Sequence, residues 1–134
     1  MIIRDIFDEL FVLELANNHW GDVNRGLRIV KEFSTVVRYN DVRAAIKLQF
    51  RDVDTFVHQD FRHRDDIRYI KKTLETRLSR DEMATIVEAV RRNNCIRLAT
   101  PFDDRYYALS HPQPEKFQRP ILVAHRPHRY CRRG

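Results

Sequence analysis

Two short apolar runs, each broken by polar residues, set the pattern of this chain: Phe11-Val12-Leu13-Glu14-Leu15 and Ala44-Ala45-Ile46-Lys47-Leu48-Gln49-Phe50. Side chains alternate faces along a strand, so Ile46 and Leu48 share one face of the second run while Lys47 and Gln49 share the other. Burying an ammonium and an amide in an apolar interior costs roughly several kcal/mol. A parallel barrel removes the conflict. Helices cover the apolar outer face, and inward side chains near the carboxyl ends of the strands line an open mouth.

Between the runs, Asp22 stands where a helix N-cap belongs, and Val23, Leu27, Val30, Phe33 and Val37 form a helical stripe that stops at Asn40-Asp41. Strand, helix, strand at this spacing predicts a βαβ unit with a right-handed crossover. Met1–Leu10 reads as a mixed lead-in, a short strand or turn on the barrel floor. Residues 51–78 form a long charged and aromatic connection, in which 65–78 has helical spacing through Ile67, Ile70 and Leu74. Such an excursion after a strand commonly covers or completes a site. Ser79-Arg80-Asp81-Glu82 fits a capping box, and Met83, Ile86, Val87 and Val90 give the following helix its buried side. A third strand is expected over Cys95–Ala99, ending at Thr100-Pro101-Phe102-Asp103-Asp104.

Beyond Asp104 the periodicity stops. Pro112, Pro114, Pro120 and Pro127 punctuate a segment with three histidines, and Ile121–Ala124 is its one apolar run. The expected organisation is therefore 1–104 as a barrel portion and 105–134 as a basic, irregular tail. So abrupt a change is what an out-of-register translation of former barrel sequence would produce.

Charge sharpens this division. The formal net charge of the 134 residues is +6, yet 105–134 hold seven basic groups against one acid, which leaves the rest of the chain balanced. A nucleic-acid reading thus rests on the tail alone, on Arg126, Arg129, Arg132 and Arg133 beside Tyr130, with no recognised reader motif in the body. Cys95 and Cys131 show no ligand spacing, and Cys95 is expected to pack as a small apolar residue. His58, His63 and the tail histidines also lack ligand spacing, so no metal is assigned to them. No stretch approaches membrane-spanning length and no secretory leader is evident, so the expectation is a soluble, cytoplasmic protein without a membrane partner.

The block Glu14-Leu15-Ala16-Asn17-Asn18-His19-Trp20-Gly21-Asp22, followed by Ile46-Lys47-Leu48-Gln49-Phe50 and Thr100-Pro101-Phe102-Asp103, resembles the amino-terminal part of the sialic acid (N-acetylneuraminate) synthase family. The likeness covers about residues 10–104 and lies in the combination of blocks. It implies a (β/α)8 TIM barrel, present here as about three parallel strands with flanking helices. It also implies a transferase of carbohydrate biosynthesis that condenses phosphoenolpyruvate with N-acetylmannosamine or a related N-acetylated amino sugar, releasing phosphate. By matching positions, Lys47 and Thr100 would contact phosphoenolpyruvate, Glu14 and Gln49 would address the sugar, and Asn18 and His19 would shape the first loop. Glu14 carries the catalytic assignment, orienting sugar hydroxyls or moving a proton during ring opening. The family uses Mn2+ or Mg2+, whose ligands lie on later strands that have no counterpart here. The expectation is therefore a truncated chain, weakly active or inactive alone, that associates with a second copy or a complementing barrel fragment.

Each residue also has an ordinary reading. Glu14 alone is as readily an exposed strand-end carboxylate, Lys47 a partner for an internal acid, Thr100-Pro101 a strand terminator, and His19 a hydrogen-bonded loop residue. Two other function classes stand beside the synthase: a basic-tailed nucleic-acid binder and a non-catalytic protein that docks through open sheet edges.

Overall fold

A computed structural model describes residues 5, 7–101 and 122–123. Strand β1 (Leu10–Glu14) leads through a turn into helix α1 (Val23–Tyr39), which returns to β2 (Arg43–Phe50). The long connection contains α2 (Val53–Phe56), a 3-10 turn (Gln59–Phe61) and α3 (Arg68–Glu75). Helix α4 (Arg80–Arg92) then leads to β3 (Ile96–Pro101), and a two-residue strand β4 (Leu122–Val123) completes the described elements. The sheet order is β1-β2-β3-β4 and every pairing is parallel. The architecture is an open parallel sheet with flanking helices, part of a TIM-barrel-like α/β fold.

Local chemistry sets the helix ends. The Asp22 side chain accepts from the Asn24 and Arg25 backbone N–H groups. Ser79 and Glu82 form the reciprocal capping box, with the Ser79 N–H donating to Glu82 at 2.7 Å. Helix α3 is shorter than its spacing suggests. It begins after Ile67, which is extended and offers no side-chain cap, and it closes at Thr76. Strand β3 starts one residue later than expected and runs through Pro101, paired with Phe50. Within the segment expected to be irregular, Leu122 and Val123 pair with Leu98 and Ala99. The rest of that tail, the division at residue 104, Cys131 and most of the lead-in lie outside the described residues.

Helices α1 and α4 pack on one face of the sheet. Leu15, Val30, Ile46, Leu48, Met83, Ile86, Val90 and Cys95 form the buried cluster beneath them. Cys95 is buried beside Ser34, with its Sγ 3.6 Å from the Ser34 Oγ. The two helices approach closely at Gly26, where an added Cβ would sit 2.6 Å from the Ile86 Cδ1. Among the described residues strand β1 pairs only with β2; Phe11 and Val12 on it are 57% and 50% exposed. Among the described residues no helix is long and apolar enough to cross a membrane.

Candidate functional site

Strand register decides which side chains meet. Glu14 lies beside Lys47, and Gln49 lies beside Thr100. Because residues two apart on a strand share a face, all four fall on the face opposite Ile46 and Leu48. They stand toward the carboxyl ends of three adjacent parallel strands.

The contacts bind three of the four into one network. Lys47 Nζ lies 2.9 Å from Glu14 Oε1, and Gln49 Nε2 makes a long, 3.5 Å hydrogen bond to the same oxygen. The ordinary reading of Lys47, a pairing with a nearby acid, is therefore realised in this geometry, the acid being Glu14. The Lys47 hydrogen bond and charge hold the Glu14 carboxyl below its usual range, and Gln49 adds to the effect. Glu14 is accordingly an ionised acceptor at neutral pH, suited to taking hydrogen bonds from hydroxyl groups and unsuited to donating a proton. Thr100 joins by register alone. Its Oγ1 is enclosed and has no hydrogen-bond partner among the described residues, an unusual condition for a buried hydroxyl.

The loop after β1 is built around His19 and its neighbours. The buried His19 accepts the Gly21 N–H through Nδ1 at 3.0 Å, so the neutral ring carries its proton on Nε2. Burial pushes the imidazole below its usual pKa, the Arg51 charge pushes the same way, and Glu82 opposes them. Asn18 contributes its backbone oxygen, which accepts from the Arg25 Nε at 2.8 Å. Gly21 has φ +74°, and an added Cβ would sit 3.1 Å from backbone atoms of Glu75 and Thr76. Asn17 donates to the Thr76 hydroxyl at 2.8 Å. The loop is thereby seated on the end of α3.

Arg51 is the residue that sequence reasoning passed over. It lies just beyond β2 and donates from Nη2 to Gln49 Oε1 at 2.6 Å, while its guanidinium sits 5.3 Å from the centre of the Phe56 ring. Its spacing of two from Gln49 was the available signal, because that parity points past the strand end toward the same face. On the side of the connection, Arg51 and Arg77 border both a narrow cavity of about 30 Å3 next to His19 and an open cleft of about 270 Å3 that reaches Arg80. Arg77 is held there by two hydrogen bonds to Asp54, at 3.2 and 3.3 Å.

Among the described residues, no group of three or more His, Cys, Asp or Glu side chains comes together as a metal site. The described residues thus offer no ligand set for the Mn2+ or Mg2+ that the sequence resemblance implies.

A strand-end rim on a parallel sheet is the usual place for ligand chemistry in α/β proteins. No family model matches the chain, and no curated protein matches it. Among solved structures, it is similar to a protein described as "putative spore coat polysaccharide biosynthesis protein E" from Chromobacterium violaceum ATCC 12472. The two share 37% sequence identity with a TM-score of 0.71, over 75% of this chain. The chain spans 30% of the length of that relative.

Proposed function

We propose that this chain carries part of the substrate-binding rim of an enzyme of carbohydrate or polysaccharide biosynthesis. In the finer reading that enzyme is a phosphoenolpyruvate-dependent sugar-acid synthase resembling N-acetylneuraminate synthase. The observation that carries the proposal is the common face of Glu14, Lys47, Gln49 and Thr100 at three neighbouring strand ends. The similarity to a polysaccharide-biosynthesis protein supports its coarser form.

In this reading Lys47 offers a compact cation to the phosphate or carboxylate of phosphoenolpyruvate. Thr100 Oγ1, enclosed and without a hydrogen-bond partner among the described residues, donates to an oxygen of the same molecule. Glu14, kept ionised by Lys47, accepts hydrogen bonds from sugar hydroxyls and so orients them. An incoming anion competes with Glu14 for Lys47, so binding would loosen the 2.9 Å pair and free the carboxylate for the sugar. In the condensation, the enol carbon of phosphoenolpyruvate attacks the open-chain aldehyde, water adds to the resulting cation, and phosphate leaves.

Calorimetric titration of the full chain with phosphoenolpyruvate and with N-acetylmannosamine tests the proposal. The expected result is saturable binding of both, with phosphoenolpyruvate affinity falling roughly tenfold or more in Lys47→Ala, the order expected when a charged hydrogen bond to a ligand is lost. Absence of binding to both at millimolar concentration overturns the reading, as does binding indifferent to Lys47 and Thr100. Phosphate release with both substrates and a divalent cation then asks whether this chain completes the reaction.

A further inference from the structure

The loop between β1 and α1 is closed by a bond that only a neutral histidine can make. The buried His19 accepts the Gly21 N–H through Nδ1 at 3.0 Å. An imidazolium carries a proton on each ring nitrogen and accepts nothing, so protonation sets two donors against each other at this contact. The loop that the bond closes is also strained. Ala16 and Trp20 have φ of +48° and +56°, in the left-handed region that non-glycine residues seldom occupy. Gly21 is pressed on the end of α3, and Asn17 donates to Thr76 there. Loss of the Gly21 contact therefore removes a support from a loop whose own backbone favours release.

We infer that His19 is an acid-sensitive latch: protonation of its ring releases the 16–21 loop from the end of α3 while the sheet and its helical layer stay folded. The groups around the ring offer the cation little. Arg51, beyond β2, disfavours it, and Arg77, which borders the same small cavity, is a second guanidinium, held by Asp54. On α4, Glu82 favours the cation, but this carboxylate is engaged by the Ser79 N–H at 2.7 Å. The cavity wall from β2 and α3 is uncharged at Gln49, Thr73 and Thr76. Helix α1 passes at Gly26, where an added Cβ would lie 3.5 Å from the His19 Cβ. Its Arg25 is turned to the Asn18 oxygen, and its cap Asp22 to the Asn24 N–H. Burial disfavours the cation as well. In the open loop the ring regains an ordinary pKa of about 6.5. By linkage, acid then favours the open form: below about pH 6.5 its population grows, by up to about tenfold per pH unit, until the closed ring titrates too. The loop leaves β1 just after Glu14 and borders one cavity with Gln49, so the latch releases the segment next to the rim.

Amide exchange of the full chain, followed residue by residue from about pH 7.5 to about pH 5.5 and corrected for the intrinsic rate, tests the latch. Across that range the Gly21 amide is expected to lose up to about tenfold in protection, while Leu48 in β2 keeps its own. A Gly21 amide without protection at the upper pH, a protection that does not change with pH, or an equal loss at Leu48 overturns the inference. His19→Asn places an amide oxygen where Nδ1 stood, an acceptor that does not titrate, and is expected to hold Gly21 across the range. Acid loss at Gly21 in that variant as large as in the wild type assigns the effect to another group and overturns the inference too. The wild-type ring supplies a readout that needs no variant. Nitrogen resonances of His19 are expected to place the proton on Nε2 at the upper pH and to titrate together with the loss at Gly21. A ring that titrates while Gly21 stays protected shows that His19 is no latch.

Discussion

The two faces of β2 carry different kinds of side chain toward its carboxyl end. Toward the helices, Ala44, Ile46 and Leu48 are buried at 4%, 0% and 1% exposure. Toward the rim, Lys47 keeps a quarter of its side chain exposed and is tied to Glu14, with Gln49 between Glu14 and Arg51. The same eight-residue strand thus separates its duties residue by residue. One face supplies nonspecific apolar burial that holds the fold. The other supplies directional groups whose arrangement contributes little to folding, since partly exposed ion pairs are worth about 0–1 kcal/mol.

The contrast is broken or sharpened by substitution. Ile46→Ala should have the largest effect, a loss of about 2–5 kcal/mol in chemical denaturation from lost burial and a residual cavity. A loss below 1 kcal/mol would mean that the helical layer is not the main source of stability. Acidification comes next. The folded pKa of His19 lies below its unfolded value, so the unfolded chain binds more protons and stability falls as pH drops below about 6.5. Replacing His19 with Gln should flatten that part of a pH–stability curve, and an unaltered slope would assign it to other groups. Thr100→Val should have the smallest effect on folding and the opposite sign. Removing a hydroxyl that has no partner among the described residues is expected to leave stability unchanged or raise it by up to about 1 kcal/mol, while phosphoenolpyruvate binding weakens. Destabilisation by more than that would show that the hydroxyl is satisfied in solution.

The parity of Lys47 and Gln49 against Ile46 and Leu48 was legible because strand periodicity has only two outcomes, and the register confirms the alternation in β2. The Ser79–Glu82 box was legible for a similar reason: its geometry is local, closing within four residues. What could not be read depends on contacts distant in sequence. The seating of Gly21 on Glu75 and Thr76 and the bond from Asn17 to Thr76 join segments more than fifty residues apart. Arg51 looked like one more charge in a charged connection, and only its distance to Gln49 gives it a role. Strand β4 escaped because two paired residues are too few to establish a period.

The anchoring of the first loop to α3 has a mechanical corollary. Asn17, bonded to Thr76, and Gly21, pressed on the same turn, act as two rivets between segments that a chain diagram draws apart. These contacts couple the turn bearing His19 to the end of α3. Slowed deuterium uptake at Gly21 is then the expected sign of a ligand that stiffens the Thr76 end of the connection.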